Sequence, residues 1–198
     1  MSDTFYTIEG NSEGKINEKM SKFLAYAFHV ESGAEAKERV AEIAKKYYDA
    51  RHVCWAYMVG PQRVDCLSND NGEPSGTAGK PILGQINSFN LTDVVVVVVR
   101  YFGGIKLGTS GLISAYREAA RTALAEAKII ECHVQDVMTF TFPYMPMNDV
   151  MKLTKQSGIT TLEQTFDNSC SMKISIRQDD AAQLKARLLD VDGLTMID

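Results

Sequence analysis

Apolar positions recur along the chain with two periods, and the switches between them mark the elements. Residues 4–8 (TFYTI) predict a strand, and GNSEGK after them a turn. Lys22 to Val30 predicts a second strand. Phe23, Ala25 and Ala27 fall on one face and Leu24, Tyr26 and Phe28 on the other, so both faces should be covered. Ser32-x-x-Glu35 is a capping-box pattern, and Ala36, Val40, Ile43, Ala44 and Tyr47 follow at helical spacing. His52 to Val59 predicts a strand ended by Gly60-Pro61, and Asp65 to Gly79 a loop full of turn formers. Lys80-Pro81 opens a short helix whose apolar face is Ile82, Leu83, Ile86 and Phe89. Val94 to Tyr101, with six successive valines, predicts a strand central to a sheet. GGIKLGTSG is then a loop, and Gly111 to Lys128 an alanine-rich helix.

After Val134–Asp136 the pattern restarts. Strand (137–142), helix (Asn148 to Ser157, closed by Gly158), strands Ile159–Phe166 and Cys170–Arg177 around an Asp167-Asn168-Ser169 turn, helix (Asp179 to Asp190) and a last strand (Leu194 to Ile197) read βαββαβ. That order is the ferredoxin-like arrangement, with two helices on one face of an antiparallel sheet. The expectation is an α+β protein with an N-terminal domain over 1–135 and a ferredoxin-like domain over 136–198.

Composition narrows the function classes. The chain has 198 residues, 45% of them hydrophobic and 23% charged, with a net charge of −4, which fits globular rather than disordered sequence. Its longest aliphatic run, Val94 to Val99, is far too short to span a bilayer, and MSDTFYTIEG lacks a secretory pattern, so no membrane role and a cytoplasmic location are expected. Cys54, Cys66, Cys132 and Cys170 are widely spaced and read as reduced thiols, and with His29, His52 and His133 they predict no metal site. The acidic balance argues mildly against a dedicated nucleic-acid binder, yet Val94 to Arg117 holds Arg100, Lys106 and Arg117 and no acid.

Two glycine-rich stretches carry the candidate chemistry. Gly72-Glu73-Pro74-Ser75-Gly76-Thr77-Ala78-Gly79-Lys80-Pro81 fails as a Walker loop, because prolines occupy the positions of its first glycine and its final hydroxyl residue. It can still present amides and hydroxyls ahead of a helix, which suits an anion or an acidic side chain. The second stretch, Arg100 to Gly111, joins the valine strand to a helix. Its glycines and Thr109 or Ser110 either form a tight turn and a helix cap, or form an anion or partner site with Arg100 and Lys106. Arg117 and Arg121 either extend that basic surface or form a solvated stripe beside Glu118. His52 and Cys54 share a strand face but have no third, orienting group, so core packing is the reading for Cys54. Asp65, Asp70 and Glu73 could form an acidic pair, although loop carboxylates are usually solvated.

NGEPSGTAGKPIL followed by VVVVVVRYFGGIKLGTSGLISAY resembles the IMPACT/YigZ family, and with Ser21-Lys22-Phe23, His52–Tyr57 and the βαββαβ unit the resemblance covers nearly the whole chain. It implies an N-terminal fold similar to the second domain of a small-subunit ribosomal protein, shared with domains of elongation factor G and a class of small-molecule kinases. The C-terminal unit resembles the last domain of elongation factor G. Eukaryotic relatives bind a ribosome-associated activator of the amino-acid-starvation kinase and keep translation initiation running, which implies RNA, the ribosome or a translation-associated protein as partner. The chain departs from the family at Ser114, where a basic residue is usual, and at His52-Val53, where two histidines commonly stand.

The expected function is therefore non-enzymatic and translation-associated, with no cofactor and no catalytic residues. The expected binding surface comprises Asp70, Glu73, Ser75, Thr77, Lys80, Arg100, Tyr101, Gly103, Gly104, Lys106, Thr109, Ser110 and Arg117. The rival is a phosphate- or nucleotide-binding enzyme of small-molecule-kinase type, with Asp65, Asp70 and Glu73 as the nearby acids. A peptidase is weaker still, since no residues support it.

Overall fold

The computed structural model describes residues 3–167 and 169–197. The chain forms two compact units, Phe5–Cys132 and a second made of His133 onward together with the opening residues Asp3 and Thr4.

In the first unit, strands β1 (Thr4–Glu9), β2 (Asn11–Glu18) and β3 (Ser21–His29) precede helix α1 (Gly33–Lys46). Strands β4 (His52–Val59) and β5 (Asp65–Asn69), helix α2 (Gly79–Ser88), strand β6 (Val94–Tyr101), helix α3 (Gly108–Ala125) and strand β7 (Lys128–His133) follow. Five strands make an antiparallel sheet in the order β2-β3-β6-β4-β5, and β1 pairs with β7. The valine strand is central, as its composition predicts. Alternation sends Val94, Val96 and Val98 into one core with α2 and α3, and Val95, Val97 and Val99 into another with α1. That double duty explains why no polar residue interrupts the run.

The capping box forms at α1: Ser32 Oγ accepts from the Glu35 N–H at 3.1 Å, and the Glu35 carboxylate accepts from the Glu31 N–H at 2.8 Å. Three expectations shift. Of GNSEGK only Gly10 bends the chain, at a φ of +74°, and residues 11–15 belong to the edge strand β2. Its residues are mostly exposed, and it packs so closely under α3 that a Cβ on Gly14 would lie 2.6 Å from the Ala123 nitrogen. Asp65 to Asn69, expected as loop, forms the short edge strand β5 against β4. Helix α3 begins at Gly108 rather than Gly111 and ends at Ala125, with β7 after it.

The second unit contains β8 (Gln135–Phe142), α4 (Met147–Thr154), β9 (Ile159–Phe166), β10 (Cys170–Arg177), α5 (Gln178–Leu189) and β11 (Thr195–Ile197). Its sheet order β11-β8-β10-β9 is the ferredoxin-like interleaving. Every second residue of β10 is buried, and Phe140, Phe142, Met172 and Ile174 meet Leu184 and Leu188 of α5. Within this unit Asp3, fully buried, is clasped by Arg177, whose Nε and Nη2 donate at 2.5 and 2.7 Å. The expected turn at 167–169 includes Asn168, which lies outside the described residues.

Candidate anion pocket at the start of helix α3

The loop before α2 has closed on itself. Asp70 accepts backbone N–H bonds from Gly76 at 2.8 Å, Ala78 at 3.0 Å and Gly79 at 2.8 Å, which places a carboxylate at the start of α2. Burial opposes ionisation of Asp70, but those amides with Lys80 outweigh it and hold its carboxyl below the ordinary range. The acidic partner that this loop suits is thus the chain's own Asp70. Thr77 is buried and donates to the Pro74 carbonyl at 2.6 Å, while Ser75 and Lys80 are exposed. Asp70 and Thr77 therefore hold the loop together instead of offering themselves to a ligand.

Beneath that loop lies a buried polar network. Arg100 Nη1 donates to Glu73 Oε1 at 2.6 Å, with the two side chains 7% and 4% exposed. Tyr116, from α3, donates its hydroxyl to the same carboxylate oxygen at 2.8 Å. The Arg100 guanidinium stands 5.6 Å from the ring centres of both Phe23 and Phe102. Arg100 was expected as a surface cation and Glu73 as a solvated acid; instead they neutralise each other in the core. β6 alternates, so its even residue Arg100 points with Val98 toward the α2–α3 side. Tyr101 falls on the α1 side, where it donates to Asp49 at 2.7 Å; that bond and its charge, with burial, push its hydroxyl up to about 12.

Cys54 is fully buried, its Sγ 2.9 Å from the Asp70 carbonyl oxygen and 3.4 Å from the Tyr116 hydroxyl. Burial is the main cause that pushes its thiol up to about 12, so it is no nucleophile at neutral pH. The three acids that a phosphotransferase would need are all engaged: Asp65 accepts from Tyr57 at 3.2 Å, Asp70 holds its loop, and Glu73 holds Arg100. Among the described residues, no group of three or more His, Cys, Asp or Glu is placed to hold a metal ion.

The two glycine stretches nevertheless converge. Glu73 and Pro74 of the first, and Arg100, Phe102, Lys106, Leu107, Gly108 and Thr109 of the second, line one cavity of about 390 Å³, completed by Arg51, His52 and Leu112. No side chain caps α3, its first turn carries no acid, and Gly108, Thr109 and Ser110 are exposed there. Its first amides are therefore open to a ligand, in contrast with those of α2. Arg51 and Lys106 add exposed cations. Gly103 donates to Ser21 Oγ at 3.3 Å, and its backbone runs so close to β3 that a Cβ would lie 2.1 Å from the Met20 carbonyl. Gly104 and Gly108 adopt φ of +90° and +73°, which other residues rarely do. A neighbouring concavity of about 420 Å³ along α2 and α3 is lined by Gly76, Lys80 and Arg117 among others, while Ser114 is exposed on α3. Arg51, Phe102, Leu107 and Leu112 escaped the expected set. A cation just before one strand and an aromatic just after another carry no motif, and only the sheet register brings them to the loops.

The fold is that of an α+β chain of two units, with no helix among the described residues long and apolar enough to cross a bilayer. Residues 19–124 match the Impact N-terminal domain, and this chain belongs to the IMPACT family. IMPACT family member YvyE of Bacillus subtilis is 30% identical over 178 residues, covering 90% of this chain and 82% of that protein. A crystal structure described as that of a hypothetical protein matches at a TM-score of 0.77 and 26% identity, across all of this chain and 98% of the other. The two-domain translational regulator Yih1 matches at a TM-score of 0.40 and 24% identity, over 60% of this chain and 48% of its own.

Proposed function

We propose that this chain is a non-enzymatic, translation-associated binding protein, and that the pocket at the start of α3 holds a phosphate of an RNA backbone. The observation that carries this reading is the convergence of both glycine segments on an uncapped helix start flanked by Arg51 and Lys106. Lys80 and Arg117 in the adjacent concavity extend the cationic track. Against a net charge of −4, binding depends on this local cluster rather than on a general basic field. Phosphate contacts of this kind give affinity without base choice.

The test is fluorescence anisotropy with single-stranded RNA over a salt series, with ribosome co-sedimentation beside it. If Arg51, Lys80, Lys106 and Arg117 each neutralise one phosphate, log affinity should fall against log salt with a slope near about −3, from roughly −0.7 per contact. Lys106→Glu and Arg117→Glu should each weaken binding and flatten the slope. Affinity indifferent to both substitutions and to salt would overturn the reading.

A further inference from the structure

The α1 side of the five-stranded sheet carries a second cavity of different chemistry. On the edge strand β2, Asn11 and Glu13 stand directly opposite Phe28 and Tyr26 of β3. With Glu42, Ile43 and Lys46 of α1 they line a space of about 340 Å³. Tyr26 belongs to the α1 core, so this space lies across the sheet from α2, α3 and the anion pocket. The Tyr26 and Phe28 rings stack 6.4 Å apart, with 18° between their planes. The Tyr26 hydroxyl is bonded to that of Tyr47, which leaves the ring face as its contribution.

Two observations point to a cation as guest. Lys46 is exposed and has all of the solvent open to it, yet its Nζ stands 5.3 Å and 5.2 Å from the ring centres of Tyr26 and Tyr47. The protein's own alkylammonium thus displays the attraction of these rings for such a group. Glu13 is the second. Its carboxylate has no hydrogen-bond or ion-pair partner among the described residues. The rings therefore hold a cation without a carboxylate, and Glu13 is a carboxylate without a cation. An incoming ammonium that meets both satisfies what Lys46 leaves unmatched. A second carboxylate, Glu42, lines the same space and is engaged only by Arg39, at 3.0 Å in a solvent-exposed pair. Two acids beside an aromatic floor match a chain of methylenes with an ammonium group towards each end.

We propose that this cavity binds a linear aliphatic polyamine, its methylenes on the Tyr26 and Phe28 rings and its ammonium groups on Glu13 and Glu42, with Lys46 as the internal group that it displaces. The proposal is independent of the phosphate reading, because the two sites share no residue.

The test is titration of the intact chain at low salt with spermidine, butylamine, magnesium chloride and a lysine-rich peptide, followed by amide chemical shifts and calorimetry. Spermidine should give saturable shifts at residues 11–13, 26–28 and 42–47, and should bind several-fold more tightly than butylamine. Glu13→Gln should weaken spermidine roughly two- to fivefold, the range for an exposed ion pair. Lys46→Ala should tighten it by about the same factor, since the resident cation is gone. Both positions are exposed, so neither substitution threatens the fold. Glu18→Gln removes the same charge from the other face of β2 and should change nothing. Equal shifts with magnesium, indifference to Glu13→Gln, or weaker binding in Lys46→Ala overturns the proposal. Tighter binding of the peptide than of spermidine at these residues also overturns it, and assigns the cavity to a basic protein segment instead.

Discussion

Replacing Glu73 by leucine isolates the energetics of the buried network. Glu73 and Arg100 are 4% and 7% exposed and 2.6 Å apart, so the substitution strands a guanidinium in the core. Removing one partner of such a pair costs about 3–5 kcal/mol, because the remaining charge is neither solvated nor matched. For a unit of this size, between the small and large cases, that corresponds to a fall in Tm of roughly 10–20 °C. The Tyr116 hydroxyl also loses its acceptor, which accounts for a further deficit of about 1–3 kcal/mol. Adding Arg100→Met should restore most of the loss, since apolar replacement of a buried pair is often neutral. Adding Tyr116→Phe should recover most of the remainder. Urea denaturation followed by fluorescence of Trp55, the single tryptophan, reports this unit directly. The reasoning fails if Glu73→Leu costs under about 1 kcal/mol, or if the double variant is as unstable as the two single losses added together.

Asp70→Asn should lower stability at pH 7 by about 0.5–2 kcal/mol, as loss of a helix cap does. Because the folded Asp70 carboxyl lies below its ordinary value of 3.8, its contribution is present above that pH and is lost as pH falls through the lower folded value. The gap between variant and wild type in a pH series of melts should therefore close in acid; a gap constant down to pH 2 refutes the charge argument. In native protein at neutral pH, a thiol reagent should modify exposed Cys66 quickly and Cys54 only on unfolding, so mass-spectrometric labelling of Cys54 without denaturant contradicts its elevated pKa. Gly103→Ala forces a methyl against the Met20 backbone and should cost about 1–3 kcal/mol, with an unchanged Tm the refuting result.

The elements with strong periods were legible in the sequence. Six valines between polar neighbours declare a central strand, and Ser32-x-x-Glu35 declares the start of α1. β2 was not legible, because NSEGKINE has turn composition and takes its strand form from pairing with β3. β5 likewise exists through its partner β4. The convergence of the two glycine segments followed from both preceding helices that pack on one face of the sheet. What composition could not reveal is the state of the charged groups. Arg100 lies in a cation-rich, acid-free window, yet its neutralising acid stands 27 positions earlier and reaches it only across the sheet. Likewise Asp70 resembles any loop acid until the chain wraps three amides around it.

That wrapping sets how many guests the protein can host. A tethered carboxylate competes at a local concentration that dissolved ions rarely match, so the α2 end is permanently occupied from within. The two glycine segments look like twins in sequence, yet they divide the labour: one is a lock already closed by its own key, and the other is left open to the solvent. Saturation should come at a single equivalent per chain.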